Sequence, residues 1–511
     1  MKTDETKGEG GLTRREFLAS SSLGALASLP VSQAANAGGE AEELNPVFRA
    51  PLGIKFVLGG MIHETAHEGP CRTGRLEDLS YVAEKKGFEA QLANFVRDIK
   101  ARKFPPEAQI LEPCGLALFV REKNAEFEFP AEYFESIERD IARTDLIVVL
   151  HGFASDIAME LARRYRKPVA TIGADWVVDV PAALRHAGHE GHIALDWEDF
   201  DRLVRVLWVR KAMSLTRLLV VTDRFGKAPF GLSSAMFDSD ELEARYGMKC
   251  FHAPHRELTD EMDSTTAAQT QPIVQRLTRG AAAVHMAEAE IANSVRFYMA
   301  VRRLMSRYGC NAFTIECREV CPMEIAAKYR FTPCMTYSML KDAGYPAVCQ
   351  TDVNALVPMM ALSYLGRRSV YMGNPGFDAR NDVLTLLHDV PGVHMKGFDA
   401  PAGPYELRNF TVGGWGVTFR YDFTRDKGQV VTVARANPGQ TKILAARGEI
   451  IDGFGVDQIS CSLGVRVKVA GVKELFRQAA DFGAHFVMAY GDYMDTLADL
   501  GRVAGFELVT V

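Results

Sequence analysis

The stretch Asp145-Leu146-Ile147-Val148-Val149-Leu150-His151-Gly152 is a short apolar run, rich in β-branched residues, that ends at a loop-forming glycine. It reads as a strand buried on both faces. An amphipathic helical stretch over about Ile157–Tyr165 follows, and Lys167-Pro168-Val169-Ala170-Thr171-Ile172-Gly173 forms the next strand. Two strands joined by a helical crossover make a βαβ unit and require a parallel sheet. Downstream, a helix around Phe200–Ala212 leads to the strand Arg217–Asp223, then a helix near Ser239–Tyr246 and a strand at Met248–Phe251. Upstream, Ile54-Lys55-Phe56-Val57-Leu58 reads as a strand closed by the breakers Gly59-Gly60. A long helix over about Gln271–Tyr308 bridges to the strand at Ala312–Glu316. Past residue 365, short strands such as Gln429–Arg435 and Val465–Val469 alternate with Gly, Asn, Asp and Pro turns, with helices again at Leu475–Asp481 and Tyr493–Ala504. The expected fold class is α/β: two open parallel-sheet, Rossmann-like N-terminal domains followed by a mostly antiparallel β C-terminal domain. The predicted boundaries are 1–37 for an export signal, 38–49 for a linker, 50–175 and 176–340 for the two α/β domains, and 341–511 for the C-terminal domain.

The length of 511 residues suggests about three domains by the usual length prior. At 47% hydrophobic and 24% charged, the composition is that of an ordinary globular protein. Thr13-Arg14-Arg15-Glu16-Phe17-Leu18, the apolar run to about Val31 and the small-residue site Ala35-Asn36-Ala37 form a twin-arginine export signal, which places the mature protein in the periplasm or outside the cell. Residues 1–37 carry four basic and four acidic side chains, so their removal leaves the net charge at −6 and argues against a nucleic-acid partner. The remaining sequence holds no apolar run of membrane-spanning length, so no membrane insertion is expected. Cys317 and Cys321 are four apart without a second pair, which reads as small buried hydrophobes rather than a zinc site.

His63-Glu64-Thr65-Ala66-His67 spells the H-E-x-x-H zinc-peptidase signature. The signature works only on a helix, where residues four apart share a face. Here a strand and Gly59-Gly60 precede it and Gly69-Pro70 follows, leaving barely a turn for any helix. A zinc metallopeptidase is therefore the less favoured reading, although Gly59–Thr65 resembles the opening of microcystinase-type metallopeptidases, whose Asp-x-His motif has no match here. At the end of a sheet strand, His63 and Glu64 would line a crevice.

The polar residues concentrate in two later stretches. The first runs Glu316-Cys317-Arg318-Glu319-Val320-Cys321-Pro322-Met323-Glu324, then Pro333-Cys334, then Gly344 to Cys349-Gln350-Thr351-Asp352-Val353-Asn354. Asp352 stands where a strand gives way to a helix over Val353–Leu365, a position equally suited to a helix N-cap. The second is Gly483-Ala484-His485-Phe486-Val487-Met488-Ala489-Tyr490-Gly491-Asp492. A lone histidine opening a strand is more often structural than a ligand.

In this order, Pro333-Cys334, Asp342-Ala343-Gly344, Cys349-Gln350-Thr351-Asp352, His388 after Leu384–Leu387, Gly428–Thr432, Gly448-Glu449 and His485 through Gly491-Asp492 resemble the C-terminal pattern of the L-fucose isomerase-like sugar isomerases, which in the wider sense include the L-arabinose isomerases. The match covers residues 310–511; residues 50–300 agree in architecture alone. The resemblance implies a metal-dependent aldose–ketose isomerase acting on a free monosaccharide through an enediol. It makes Asp352 and His485 ligands of a divalent metal and His388 a substrate-binding residue. A second carboxylate is needed upstream, for which Glu316, Glu319 and Glu324 compete; Glu319 is favoured, as both metal ligand and catalytic group alongside Asp352. Gln350 replaces the usual glutamate of the Cys-Glu-x-Asp motif, which leaves a sugar-binding or non-catalytic homologue as the alternative. The resemblance also implies a homo-oligomer, trimeric or hexameric, in which a neighbour's N-terminal domain closes the site and would bring His63 and Glu64 to it.

Enediol chemistry removes a proton beside a carbonyl and returns it to the adjacent carbon while charge builds on the oxygens. A cation chelating both oxygens would stabilise that charge. Two carboxylates and one imidazole with substrate oxygens suit Mn²⁺ best, with Mg²⁺ or Co²⁺ as alternatives.

Overall fold

The computed structural model describes residues 43–70, 72–121, 126–150, 154–225 and 233–511. The described chain forms two compact units, one over residues 49–208 and one over residues 209–511 together with the segment ending at Phe48. The export signal lies outside the described residues.

The first unit is built on β1 (Leu52–His63), β2 (Ala108–Ile110), β3 (Cys114–Arg121), β4 (Glu126–Glu128), β5 (Leu146–Leu150), β6 (Val169–Ile172) and β7 (Gly191–Ala194), with α1 at Tyr81–Ala101 and α2 at Ala154–Tyr165. The sheet order is β4-β3-β1-β5-β6-β7, with β2 beside β1. All pairings are parallel except β3 with β4. Every residue of β5 is buried, as its unbroken apolar run requires of a sheet covered on both faces. Ile147 and Val149 pack in one core with Ile157, Leu161 and Val180.

Gly59 and Gly60 do not end the first strand. β1 runs on to His63 and pairs Gly59 and Gly60 with Leu116 and Ala117. A Cβ at Gly60 would lie 2.4 Å from the Phe88 ring of α1, so the glycine admits a close helix rather than a turn.

The second unit contains β8 (Arg217–Val221), β9 (Lys249–Ala253), β10 (Ala283–Val284), β11 (Ala312–Ile315) and β12 (Ala347–Cys349). Of these, β12-β11-β8-β9 form a parallel sheet in that order. The single helix expected over about 271–308 is two, Ala267–Gly280 and Glu288–Tyr308. Between them β10 pairs with the later strand Tyr405–Asn409, and a tertiary strand pairing overrides the local helical pattern.

The remaining strands are β13 (Tyr371–Asp378), β14 (Val383–Leu387), β15 (Tyr405–Asn409), β16 (Val417–Tyr421), β17 (Val430–Ala436), β18 (Lys442–Phe454), β19 (Gly464–Val469), β20 (Phe486–Tyr490) and β21 (Glu507–Thr510). Of these, β17-β20-β13-β14-β19-β18 pair antiparallel in that order and an added β17–β18 pairing closes them into a barrel-like ring, β21 lies parallel beside β18, and β15 and β16 form a separate three-stranded sheet with β10. The molecule is thus a mixed α/β protein with parallel sheets and a C-terminal antiparallel barrel-like region.

Three helices join these layers: α3 (Cys317–Val320), α4 (Cys334–Asp342) and α5 (Val353–Gly366). α5 is buried from Val353 through Tyr364 and packs against β12, β17 and β20. A helix apolar all round is stable only when covered on all sides, and this one forms the joint between the parallel sheet and the barrel. Among the described residues, no helix is long and apolar enough to cross a membrane.

Candidate active site

The joint carries the chemistry. β12 ends in Cys349, the chain turns through Gln350 and Thr351, and Asp352 caps α5 by accepting the Ala355 amide at 3.0 Å. Gln350 and Thr351 have φ of 60° and 53°, and His485, which opens β20, has φ of 67°. Left-handed conformations cost non-glycine residues about 1–3 kcal/mol, most of all a β-branched one, and tend to cluster at functional sites. The turn brings Asp352 to Arg435 of β17 and to His485.

Arg435 Nη1 donates to both carboxylate oxygens of Asp352 at 2.7 Å, and His485 Nδ1 lies 2.8 Å from Oδ2. The Asp352 and Arg435 side chains are fully buried. The carboxylate thus receives the Ala355 amide, the guanidinium and the imidazole, which occupy its roughly four lone-pair directions. Because the carboxylate accepts, His485 Nδ1 carries the hydrogen, and in the neutral ring Nε2 keeps a lone pair. His388, at the end of β14, has its ring centroid 5.5 Å from that of His485. Its Nδ1 accepts the Asp389 amide at 3.0 Å, which leaves Nε2 as the donor. Burial, with His485 and Lys341 nearby, holds the His388 pKa well below the usual imidazole range.

The upstream carboxylates separate. Glu316, directly after β11, is fully buried; Arg318 grips it with Nε and Nη2, each at 2.7 Å, and Thr351 Oγ1 lies 3.0 Å from Oε2. Glu316 therefore touches the turn that presents Asp352. Glu319, one turn further along α3, points to β8: Thr222 Oγ1 is 2.8 and 2.7 Å from its two oxygens, the Asp223 amide donates at 3.3 Å, and His255 Nε2 is 3.7 Å away. Glu324 starts the helix Ile325–Tyr329 with φ of 59° and makes no side-chain cap. Cys317 and Cys349 have their sulfurs 4.0 Å apart beside Glu316, and no zinc cluster forms around Cys317 and Cys321 among the described residues.

These residues do not fit a resident divalent ion as arranged. Among the described residues, no three His, Cys, Asp or Glu side chains converge on one point. Asp352 has no lone pair to spare, and Arg318 already neutralises Glu316. Of these groups, the contacts among the described residues leave His485 Nε2 and one lone pair of Glu319 Oε1 open.

The residues of the zinc-peptidase signature lie in the first unit, on a strand end and the coil after it, not on a helix. Glu84 of α1 binds His63 through the backbone amide at 2.7 Å and Nδ1 at 3.2 Å, and Arg72 Nη1 lies 2.8 Å from His67 Nδ1. The two imidazoles meet edge to face rather than converging on an ion.

Arg435 and Arg318 were not legible as site residues. The one signal for Arg435 is a charge set in the apolar run Val430-Val431-Thr432-Val433-Ala434-Arg435-Ala436, where strand alternation offers it no polar face.

Two curated sulfoquinovose isomerases, from Priestia aryabhattai and Priestia megaterium, are each 22% identical to this chain over 322 residues, covering 60% of it and 67% of theirs. No family model matches the chain.

Proposed function

We propose that the protein is a sugar aldose–ketose isomerase that acts on a free monosaccharide through an enediol. The observation that carries this reading is the buried Asp352–His485–Arg435 network at the joint of the parallel sheet and the barrel, joined to the likeness to sulfoquinovose isomerases. In this reading Asp352 orients the His485 ring, so that Nε2 takes the proton from the carbon beside the carbonyl and returns it to the neighbouring carbon. The buried carboxylate stabilises the imidazolium formed in between. His388 Nε2–H donates to a sugar oxygen.

A second reading, a sugar-binding homologue without turnover, is favoured by one observation: Glu316 and Asp352 are each neutralised by an arginine, and Gln350 stands where the resemblance places a glutamate. Incubation in D₂O with sulfoquinovose, L-fucose and L-arabinose, followed by proton NMR, separates the two. The isomerase reading expects loss of the C2 proton signal and growth of a ketose with one of these sugars. It also expects His485→Ala to slow both by about 10²-fold or more, the usual contribution of a general base. Sugar binding with no exchange at C2 would sink the isomerase reading in favour of the second.

A further inference from the structure

We infer that Arg435 supplies, from within the chain, the positive charge that the sequence resemblance assigns to a divalent ion, and that the Asp352–His485 pair is therefore metal-independent. The inference rests on reading the cluster as an isomerase-type site only in its choice of Mn²⁺ as the probe.

The guanidinium touches both oxygens of Asp352 at 2.7 Å, the very atoms that an ion bound to this carboxylate would need. It is fixed there: Nε donates to the Phe482 carbonyl at 3.1 Å, Nη1 also faces the His485 carbonyl at 3.4 Å, and the side chain is fully buried on a strand paired on both sides. A lysine can leave such a place by losing its proton, but an arginine keeps its charge at any ordinary pH. A divalent ion on Asp352 would sit against that charge in a dry interior, where like charges repel far more strongly than in water. The ion and the guanidinium are thus alternatives.

Arg435 also has something left to offer. Its Nη2 is buried and has no hydrogen-bond partner among the described residues. An unpaired buried donor is costly, and one aimed at a site commonly waits for a ligand atom. A sugar oxygen on which charge develops would find a donor there, the same service a Lewis acid would give.

The test uses the whole mature protein, no sugar and Mn²⁺ alone. Metal content is measured after purification without chelator, Mn²⁺ is titrated calorimetrically, and Tm is followed with and without the ion for wild type, Arg435→Gln, Asp352→Asn and the double variant. The inference expects no stoichiometric Mn²⁺ and no Tm shift in wild type. Arg435→Gln should melt lower, bind about one equivalent and recover several degrees with Mn²⁺, because any ligand specific to the folded state stabilises it. The double variant should do neither. One equivalent bound by wild type and lost in Asp352→Asn would overturn the inference, and that comparison stands even if Arg435→Gln does not fold. A folded Arg435→Gln without Mn²⁺ affinity would overturn it too. Because no sugar is involved, these outcomes are decided whether or not the chain isomerises anything.

Discussion

Asp352 does three jobs with one carboxylate: it caps α5, neutralises Arg435 and fixes the His485 tautomer. The jobs differ in what they require. Asparagine caps a helix about as well as aspartate, but it cannot balance a buried guanidinium. Removing one partner of a buried ion pair leaves an uncompensated charge and costs about 3–5 kcal/mol, whereas replacing both by apolar residues is often nearly neutral. Asp352→Asn is therefore expected to lose about that much in urea unfolding despite keeping the cap, and Asp352→Leu with Arg435→Met to lose clearly less than the sum of its single substitutions. Additive losses would mean that the pair does not act as a unit.

At the scale of an element, α4 carries an expensive residue. Lys341 lies on this helix with its Nζ donating to the Val390 carbonyl and is almost wholly buried. Burial pulls its pKa down to about 7. In the unfolded chain a lysine titrates near 10.4, so between about pH 7 and 10 the unfolded state holds a proton that the folded state has lost. Stability must then rise with pH across that window, by at most about 1.4 kcal/mol per unit. Lys341→Met removes the titration and the desolvation cost together. The variant should be the more stable protein at pH 7, by a few kcal/mol, with an advantage that shrinks towards pH 10. Chemical unfolding of both proteins at pH 7, 8 and 9 checks this, and parallel curves would refute it. The lysine faces the same interior as His388, whose charging it opposes, which gives a physical reason for keeping so costly a residue.

For the whole molecule, we propose export by the twin-arginine route with cleavage after Ala37. Changing Arg14 and Arg15 together to Lys should hold the precursor in the cytoplasm, since the transport receptor reads the arginine pair. Fractionation and immunoblotting decide it, and normal export of the double variant would refute the assignment.

What the sequence by itself determined is what short-range pattern encodes. Leu146–Leu150 and Val169–Ile172 became parallel strands because short, β-branched apolar runs beside Gly or Pro are too short for a buried helix and fit a strand covered on both faces, and the texture past residue 365 specified short antiparallel strands. The order of motifs pointed to Asp352 and His485, which the fold brings to 2.8 Å across 133 positions of chain. Tertiary structure alone decided the rest. Gly60 was a breaker by local rule, yet Phe88 needs its missing Cβ, so the strand continues. The helix over 271–308 was continuous by local rule, yet a strand more than 120 residues later claims Ala283 and Val284. Whether Glu316, Glu319 or Glu324 joined the site depended on side-chain direction in a four-residue helix, which composition does not encode. Arg435, 83 positions from Asp352, declares itself only once β17 is folded against α5. Local propensity is settled among neighbours within a few residues, whereas charge pairing in a dry interior is settled by whatever the fold sets within about 3 Å, and at this site that partner is an arginine.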